Sequence, residues 1–222
     1  MSKLHDIKGY FDSSFSYQFN DNDMWEGKFL LEDDGWFEGV VKDVSSSYTE
    51  DRFIFGVYHP GKVIELFKWT PTSFSSPFVF HGKKSDEGYQ GEFEVIGLLD
   101  TVPYGVSRIT TEEKVLSSDE EKIEIDDVKR RIERYKVFFM DDVGREFYDN
   151  SIAMRSSMCE IILRGYEGRE FTPEESDSIM SECGPVNEKV IEATCDAVKQ
   201  YMKKPGEVKK FDDLDEDDDL PF

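Results

Sequence analysis

Short runs of aromatic and β-branched residues, separated by turn residues, occupy most of residues 10–110. In several of these runs apolar residues occupy every second position, which places Trp25, Phe29 and Leu31 on one face. A period of two is typical of β-strands. The predicted strands are Tyr10–Phe19, Trp25–Glu32, Gly35–Asp43, Arg52–Tyr58, Lys62–Trp69, Pro77–Gly82, Tyr89–Ile96 and Tyr104–Thr111.

The links between these runs are short and rich in turn residues, as in Asp33-Asp34-Gly35 and His59-Pro60-Gly61. Short links join antiparallel neighbours. Eight antiparallel strands suffice to close an up-and-down β-barrel, and closure would remove the exposed edges of an aromatic-rich sheet. We therefore predict an N-terminal antiparallel barrel of about eight strands, with a two-sheet sandwich as the alternative.

The hydrophobic period changes to three or four residues after about residue 111. Ser118 and Glu121 have the spacing of a capping box, which marks the start of a helix. The apolar residues that follow have the spacing of an amphipathic helix, and they are Ile125, Val128, Ile132, Tyr135 and Phe139. A second helix is predicted over 147–163, ending at Gly165.

Two further helices are predicted downstream. Thr172, Pro173 and Glu175 combine an N-cap, a first-turn proline and a capping-box glutamate. Pro185 opens the next helix, and Pro205 ends it. The chain is thus predicted to be an α+β protein with three parts: a barrel-like domain at 1–111, a helical region at 112–205 and a disordered acidic tail at 206–222.

The charge of the chain restricts the partners that it can bind directly. The 222 residues carry a formal net charge of −22, and acidic residues outnumber basic ones in all three parts. Nucleic-acid binding depends on Lys and Arg, so direct binding to DNA or RNA is disfavoured, as is an anionic membrane surface. The three cysteines form no C-x-x-C pair, and no signal-peptide core or membrane-length apolar run is present. We therefore expect a cytoplasmic protein.

The tail at 206–222 combines acidic and apolar residues. It carries 8 Asp/Glu and 2 Lys/Arg, and it ends in Leu220-Pro221-Phe222. Charge repulsion and scarce apolar residues predict that it does not fold alone. Phe222 offers an aromatic ring with an α-carboxylate, and Pro221 lowers the entropic cost of binding. A partner pocket that is apolar and rimmed by Arg or Lys would bind this ending. The alternative is a solubilising tail.

The segment Asp217-Asp218-Asp219-Leu220-Pro221-Phe222 resembles the acidic tip of bacterial single-stranded-DNA-binding proteins, which docks on helicases, recombination mediators and other replication, recombination and repair enzymes. The resemblance covers about 12 of the 222 residues. It implies that Phe222 anchors the tail in a pocket, with Leu220 and Pro221 in support, and that Asp217, Asp218 and Asp219 make the electrostatic contact. It further implies a bacterial or phage protein with partners of the DNA-maintenance class. A divergent single-stranded-DNA-binding protein is an alternative, although that family's basic groove and Gly/Gln/Pro-rich linker are not evident here.

Eight short strands and an early tryptophan, Trp25, are similar in layout to lipocalin- and avidin-like barrels. The lipocalin Gly-x-Trp signature is replaced here by Trp25-Glu26-Gly27. This resemblance implies a cavity for a small apolar ligand as an alternative function. The cavity would be lined by Trp25, Trp36, Phe55, Phe67, Phe80 and Phe93. Packing of the same rings into a solid core is the other interpretation, because small barrels are commonly filled.

No residue pattern in the sequence points to catalysis, a cofactor or a metal. His5, His59 and His81 have no second His or Cys at metal-ligand spacing, and we interpret His59 and His81 as turn and surface residues. No G-x-S-x-G elbow or Gly-rich phosphate loop is present. We therefore expect a non-enzymatic protein without cofactors.

One basic concentration occurs in the chain, in the first predicted helix. It comprises Lys129, Arg130, Arg131, Arg134 and Lys136, interleaved with Asp126, Asp127 and Glu133. Such mixed charges predict a solvated face with ion pairs inside the helix. The alternative is an intramolecular dock for the acidic tail.

Overall fold

The computed structural model describes residues 2–12, 24–44, 51–69, 78–95 and 105–182, together with residues 190, 194 and 195. These ranges contain eight strands followed by four helices. The strands are β1 Lys3–Asp12, β2 Met24–Leu31, β3 Trp36–Asp43, β4 Arg52–His59, β5 Val63–Trp69, β6 Phe78–Ser85, β7 Gly88–Val95 and β8 Gly105–Glu113. The helices are α1 Ser118–Phe138, α2 Asp142–Ala153, α3 Arg155–Tyr166 and α4 Pro173–Glu182.

The eight strands form a closed antiparallel barrel. Each strand pairs with its neighbour in sequence, and β8 pairs with β1 to complete the closure. Ile7 illustrates the register, because it lies opposite Gly27 on β2 and Thr111 on β8. The predicted fold class is therefore confirmed for the barrel and the helices that follow it. The predicted tail at 206–222 lies outside the described residues.

The first strand begins at Lys3, earlier than the predicted start at Tyr10. Its inward positions are His5, Ile7 and Gly9, so the expected hydrophobic alternation is missing. Gly9 is required where it stands, because a Cβ atom there would lie 2.0 Å from Cε2 of the Trp25 ring. The strand conformation of residues 3–9 thus depends on pairing with β2 and β8 more than on the hydrophobic pattern of the segment itself.

Two hydrophobic clusters occupy the two sides of the barrel wall. The inner cluster contains residues of all eight strands and none from the helices: Ile7, Trp25, Phe29, Leu31, Phe37, Val41, Ile54, Tyr58, Ile64, Leu66, Phe80, Tyr89 and Ile109. The outer cluster joins the outward side chains of β1–β6 to the helices, with Phe53, Phe55, Phe67, Trp69, Val128, Ile132, Tyr135, Phe147, Met158 and Ile162 among its members. The barrel and the helices therefore share a core.

Strands β4 and β5 are buried on both faces. Their inward side chains fill the barrel, and their outward side chains lie beneath the helices. Strands covered on both faces read as continuous hydrophobic runs. This explains why RFIFGVYH and VIELFKW show little alternation.

Helix α1 lies on β2–β4 and α3 on β4–β5. Two bidentate ion pairs connect the helices to the barrel: Arg131 with Asp51 at 2.9 and 2.7 Å, and Arg155 with Asp34 at 2.6 and 2.8 Å. Helix α2 approaches the wall closely at Gly144, where a Cβ atom would lie 2.4 Å from the Trp69 ring.

The helix boundaries differ from the prediction in two places. The capping residues of α1 are Ser117 and Glu120, one position before the predicted pair, with Ser117 Oγ donating to Glu120 Oε2 at 2.6 Å. The predicted helix at 147–163 is two helices, because the backbone leaves the helical conformation at Met154, which no glycine or proline signals. The capping box of α4 is as predicted, with Glu175 N donating to Thr172 Oγ1 at 3.2 Å.

Candidate functional site

The predicted docking residues Asp217, Asp218, Asp219, Leu220, Pro221 and Phe222 lie outside the described residues, so their role stays a prediction. The described residues nearest to the tail in sequence are helical: Val190, Thr194 and Cys195. Val190 is buried in the outer cluster, and Thr194 Oγ1 donates to its carbonyl oxygen at 2.8 Å. At Val190 the chain therefore lies on the helical side of the barrel.

The six aromatic residues of the predicted cavity do not line one space. Trp25 and Phe80 belong to the inner cluster. Trp36, Phe55 and Phe67 belong to the outer cluster, so the prediction that they face the barrel interior is wrong. Their outward direction follows from strand alternation, and the helices cover them. The side chain of Phe93 lies outside the described residues.

Side chains fill the barrel around Trp25. The void beside it has a volume of about 20 Å³ and is bordered by Gly9, Leu66, Phe80 and Ile109, among others. A ligand pocket typically has a volume of about 300–1,000 Å³, whereas about 10–15 Å³ is enough for one water. Among the described residues, this part of the interior is thus packed core.

A polar group of four residues lies inside the barrel, at the end with the short links. The hydroxyl of Tyr89 donates to Tyr58 at 3.2 Å, and Tyr58 lies 2.7 Å from the Thr111 hydroxyl. His5 stacks on Phe29 with a centroid separation of 4.9 Å and is only 3% exposed. Neither ring nitrogen of His5 has a hydrogen-bond partner among the described residues. Burial lowers the pKa of this imidazole, which favours the neutral form.

Replacing His5 with leucine should make the fold less sensitive to acid. The unfolded chain has a His pKa of about 6.5, above the lowered pKa in the folded barrel. Below a pH of about 6.5 the unfolded state therefore binds more protons than the folded state. Protonation of His5 then lowers the free energy of unfolding by up to about 1.4 kcal/mol for each unit that the pH falls. Urea unfolding at about pH 7 and pH 5 measures this loss, which should be smaller in His5→Leu. Burial also lowers the pKa of His59, so this residue adds the same pH dependence of stability to both proteins. Equal losses in the two proteins would contradict the prediction.

His81 is buried, and its interpretation as a surface residue is wrong. It lies opposite Glu65 on β5 and Glu92 on β7, on the outward face of the sheet. Its Nδ1 lies 2.8 Å from Glu65 Oε2, and the two side chains are 2% and 0% exposed. The partners are far apart in sequence, so spacing could not reveal the pair. Because both groups are closed to solvent, the pair is a structural contact and not an open acid–base site.

Cys159 and His59 lie in contact and have the residue types of a nucleophile and a base. Burial raises the pKa of the Cys159 thiol to about 12, so the thiol stays protonated. His59 Nε2 donates to the carbonyl oxygen of Cys159 at 3.1 Å and leaves the sulfur unactivated. The contact therefore holds α3 against the end of β4 and lacks the activation that catalysis requires.

A cleft with a volume of about 170 Å³ lies on the outer wall between β2, β3 and the helices. Its lining is mixed: Leu30, Trp36 and Ile132 are apolar, and Glu32, Glu38, Glu133, Lys129 and Arg155 are charged. Three of the charges already have partners, because Glu38 and Glu133 pair with Lys136 and Arg155 pairs with Asp34. The cleft is thus a polar seam between wall and helix.

The predicted basic cluster divides into two groups. Arg131 and Lys136 bind Asp51 and Glu38 of the barrel half, so the prediction of ion pairs within the helix is incomplete. Arg130 pairs with Asp127 of the same helix. Arg134 is exposed and has no carboxylate within 4.0 Å among the described residues.

Arg130 and Arg134 lie beside two exposed apolar residues, Val137 at 61% and Phe138 at 74% exposure. Arg145 of α2 adds a third guanidinium, which donates to the carbonyl oxygen of Lys136 at 3.0 Å. We call these five residues the basic strip: Arg130, Arg134, Val137, Phe138 and Arg145. The sequence indicated the charges, but not that Val137 and Phe138 stay uncovered beside them.

In the described ranges, no group of three or more His, Cys, Asp or Glu residues could hold a metal ion. None of the described helices is long and apolar enough to cross a membrane. No family model, curated protein or solved structure matches this chain.

Proposed function

We propose that the chain is a non-enzymatic interaction protein whose acidic tail, residues 206–222, docks on proteins that replicate, recombine or repair DNA. The observation that carries the proposal is the apolar segment Leu220-Pro221-Phe222 directly after the acidic Asp217–Asp219. An apolar pocket rimmed by Arg or Lys binds both parts at once. The tight packing around Trp25 supports the proposal, because it leaves little room for a ligand beside that ring.

The two parts of the tail contribute differently to binding. Full burial of a Phe222 ring contributes about 1.5–3 kcal/mol, so the ring anchors the complex. The acidic run accelerates association and is screened by salt. Affinity for the partner should therefore fall with ionic strength and depend on the ring at every salt concentration.

The proposal is tested by deleting Leu220–Phe222 and measuring affinity for a helicase or recombination mediator that recognises acidic tips. Loss of an anchoring aromatic residue should weaken binding by at least about thirtyfold, the effect of a binding hot spot. The matched control keeps the composition of the tail and moves Leu-Pro-Phe to a position directly after Lys210. It should bind as weakly as the deletion. Unchanged affinity after the deletion would refute the proposal.

Two further measurements separate the proposal from its alternatives. A synthetic peptide of residues 206–222, made with a free acid or an amide on Phe222, reports how much a carboxylate at that position contributes. Titration of the full chain with a single-stranded oligonucleotide at low and high salt tests direct DNA binding. We expect no salt-dependent affinity there, whereas a divergent single-strand binder would show it.

A further inference from the structure

We infer that the basic strip binds the acidic tail of the same chain, so that the free protein covers its own docking segment and a partner must displace it. The strip comprises Arg130, Arg134, Val137 and Phe138 on α1 with Arg145 on α2. The statement that a partner must displace the tail rests on the proposed docking function. The contact between the strip and the tail does not depend on that function.

The strip has the composition that the tail requires. Val137 and Phe138 are among the most exposed large apolar side chains described. Single exposed apolar residues are ordinary, but Val137 and Phe138 are adjacent and lie beside positive charges, which complements a segment that is both acidic and apolar. Phe138 would contact Leu220 and Phe222, and the guanidinium groups of Arg134 and Arg145 would contact Asp217–Asp219.

The dimensions of the strip and the tail agree. Arg130, Arg134 and Phe138 follow each other at four-residue spacing, so they form one row on the helix surface. The row from residue 130 to residue 138 is about 12 Å long. An extended chain covers this distance in about four residues, so the final six residues can reach both its charged and its apolar end.

The charge of the whole chain favours this occupant. The chain carries 49 Asp/Glu against 27 Lys/Arg, and the charge of Asp51 acts on Arg134 from a distance. Arg134 and Arg145 have no carboxylate within 4.0 Å among the described residues, while Arg131 and Lys136 are held by Asp51 and Glu38. Residues 212–219 of the tail carry seven Asp/Glu in eight positions, the densest acidic run in the sequence.

The tail is long enough to reach the strip. Residues 206–222 extend up to about 55 Å, and Val190 lies in the outer cluster, on the side of the barrel where α1 packs. Attachment to the same molecule raises the effective concentration of the tail to the millimolar range, so weak contacts suffice.

The contact is tested on the full chain by NMR, with the amide resonances of residues 206–222 compared with those of the free peptide 206–222. We expect the two sets to differ in the wild-type protein. Arg134→Glu, Phe138→Ser or high salt should each move the tail resonances to the positions of the free peptide. Both substituted side chains are exposed, so the fold should tolerate each change.

Lys122→Glu and Val115→Ser are the matched controls, because they make similar changes at exposed positions outside the strip. They should leave the tail resonances in place. Wild-type resonances that already coincide with those of the peptide, or that respond equally to the controls, would overturn the inference. A change on dilution would also overturn it, because it would assign the tail to a second copy of the chain.

Affinity for the partner supplies an independent result. A partner can bind only the molecules whose tail is free, so the apparent affinity is the intrinsic affinity multiplied by the free fraction. Arg134→Glu raises that fraction and should tighten partner binding by about two- to tenfold. Failure of the tail deletion to weaken partner binding would refute the proposed function and leave the NMR result unaffected. Unchanged tail resonances in the strip variants would refute only the intramolecular contact.

Discussion

Replacing Phe147 with alanine should lower the free energy of unfolding by about 3–5 kcal/mol. Phe147 is 3% exposed on α2 and packs against the outward face of the barrel. Its ring centroid lies 5.4 Å from that of Phe67, 6.2 Å from that of Phe55 and 6.5 Å from that of Trp69. Truncation removes the ring and leaves a cavity between helix and wall. Urea unfolding measures the change.

Phe138→Ala is the matched control, because it makes the same substitution on a neighbouring helix at a side chain that is 74% exposed. It should change stability by no more than about 0.5 kcal/mol. In Phe147→Ala, fluorescence and circular dichroism should still report a single transition, because the barrel and the helices share the outer cluster. Equal losses in the two variants would contradict the assignment of Phe147 to a shared core.

Replacing Trp25 with alanine should likewise destabilise the protein by about 3–5 kcal/mol. Trp25 is 3% exposed and fills the space above Gly9, beside a void of only about 20 Å³. The new cavity would be lined by Leu66, Phe80 and Ile109, among others. An apolar cavity binds small apolar molecules, so indole should raise the stability of the variant.

Wild-type protein is the control, and indole should leave its stability unchanged because the site is already filled. This experiment also decides the small-ligand alternative. If Trp25 lined an open cavity, its truncation would have a small effect on stability, and apolar molecules would stabilise the wild-type barrel by mass action. That pair of results would restore the ligand-binding interpretation.

Much of the barrel could be predicted from local pattern. Alternation in β2 puts Trp25, Phe29 and Leu31 on one face, and all three are in the inner cluster. Turn residues at 33–35 and 59–61 separate the strands that form hairpins in the structure. Thr172, Pro173 and Glu175 mark the start of α4. These features depend on residues that are close in sequence, so they can be predicted without knowledge of the tertiary structure.

The candidate sites were less predictable, because they depend on residues that are distant in sequence. In β4 and β5 both faces are buried, so a continuous apolar run does not tell which side faces the barrel interior. This is why Phe55 and Phe67 were assigned to the wrong side of the wall. The pairing of His81 with Glu65 follows from strand register, which composition does not encode.

The sequence by itself determined the number and order of most strands, the change to helices after residue 111 and the acidic tail with its Leu220-Pro221-Phe222 ending. Periodicity, turn chemistry and charge are local properties, so no fold is needed to recognise them. The tertiary structure decided which aromatic rings fill the barrel and which lie beneath the helices. It also decided that Val137 and Phe138 stay exposed beside the arginines of the basic strip, because burial depends on which surfaces meet after folding.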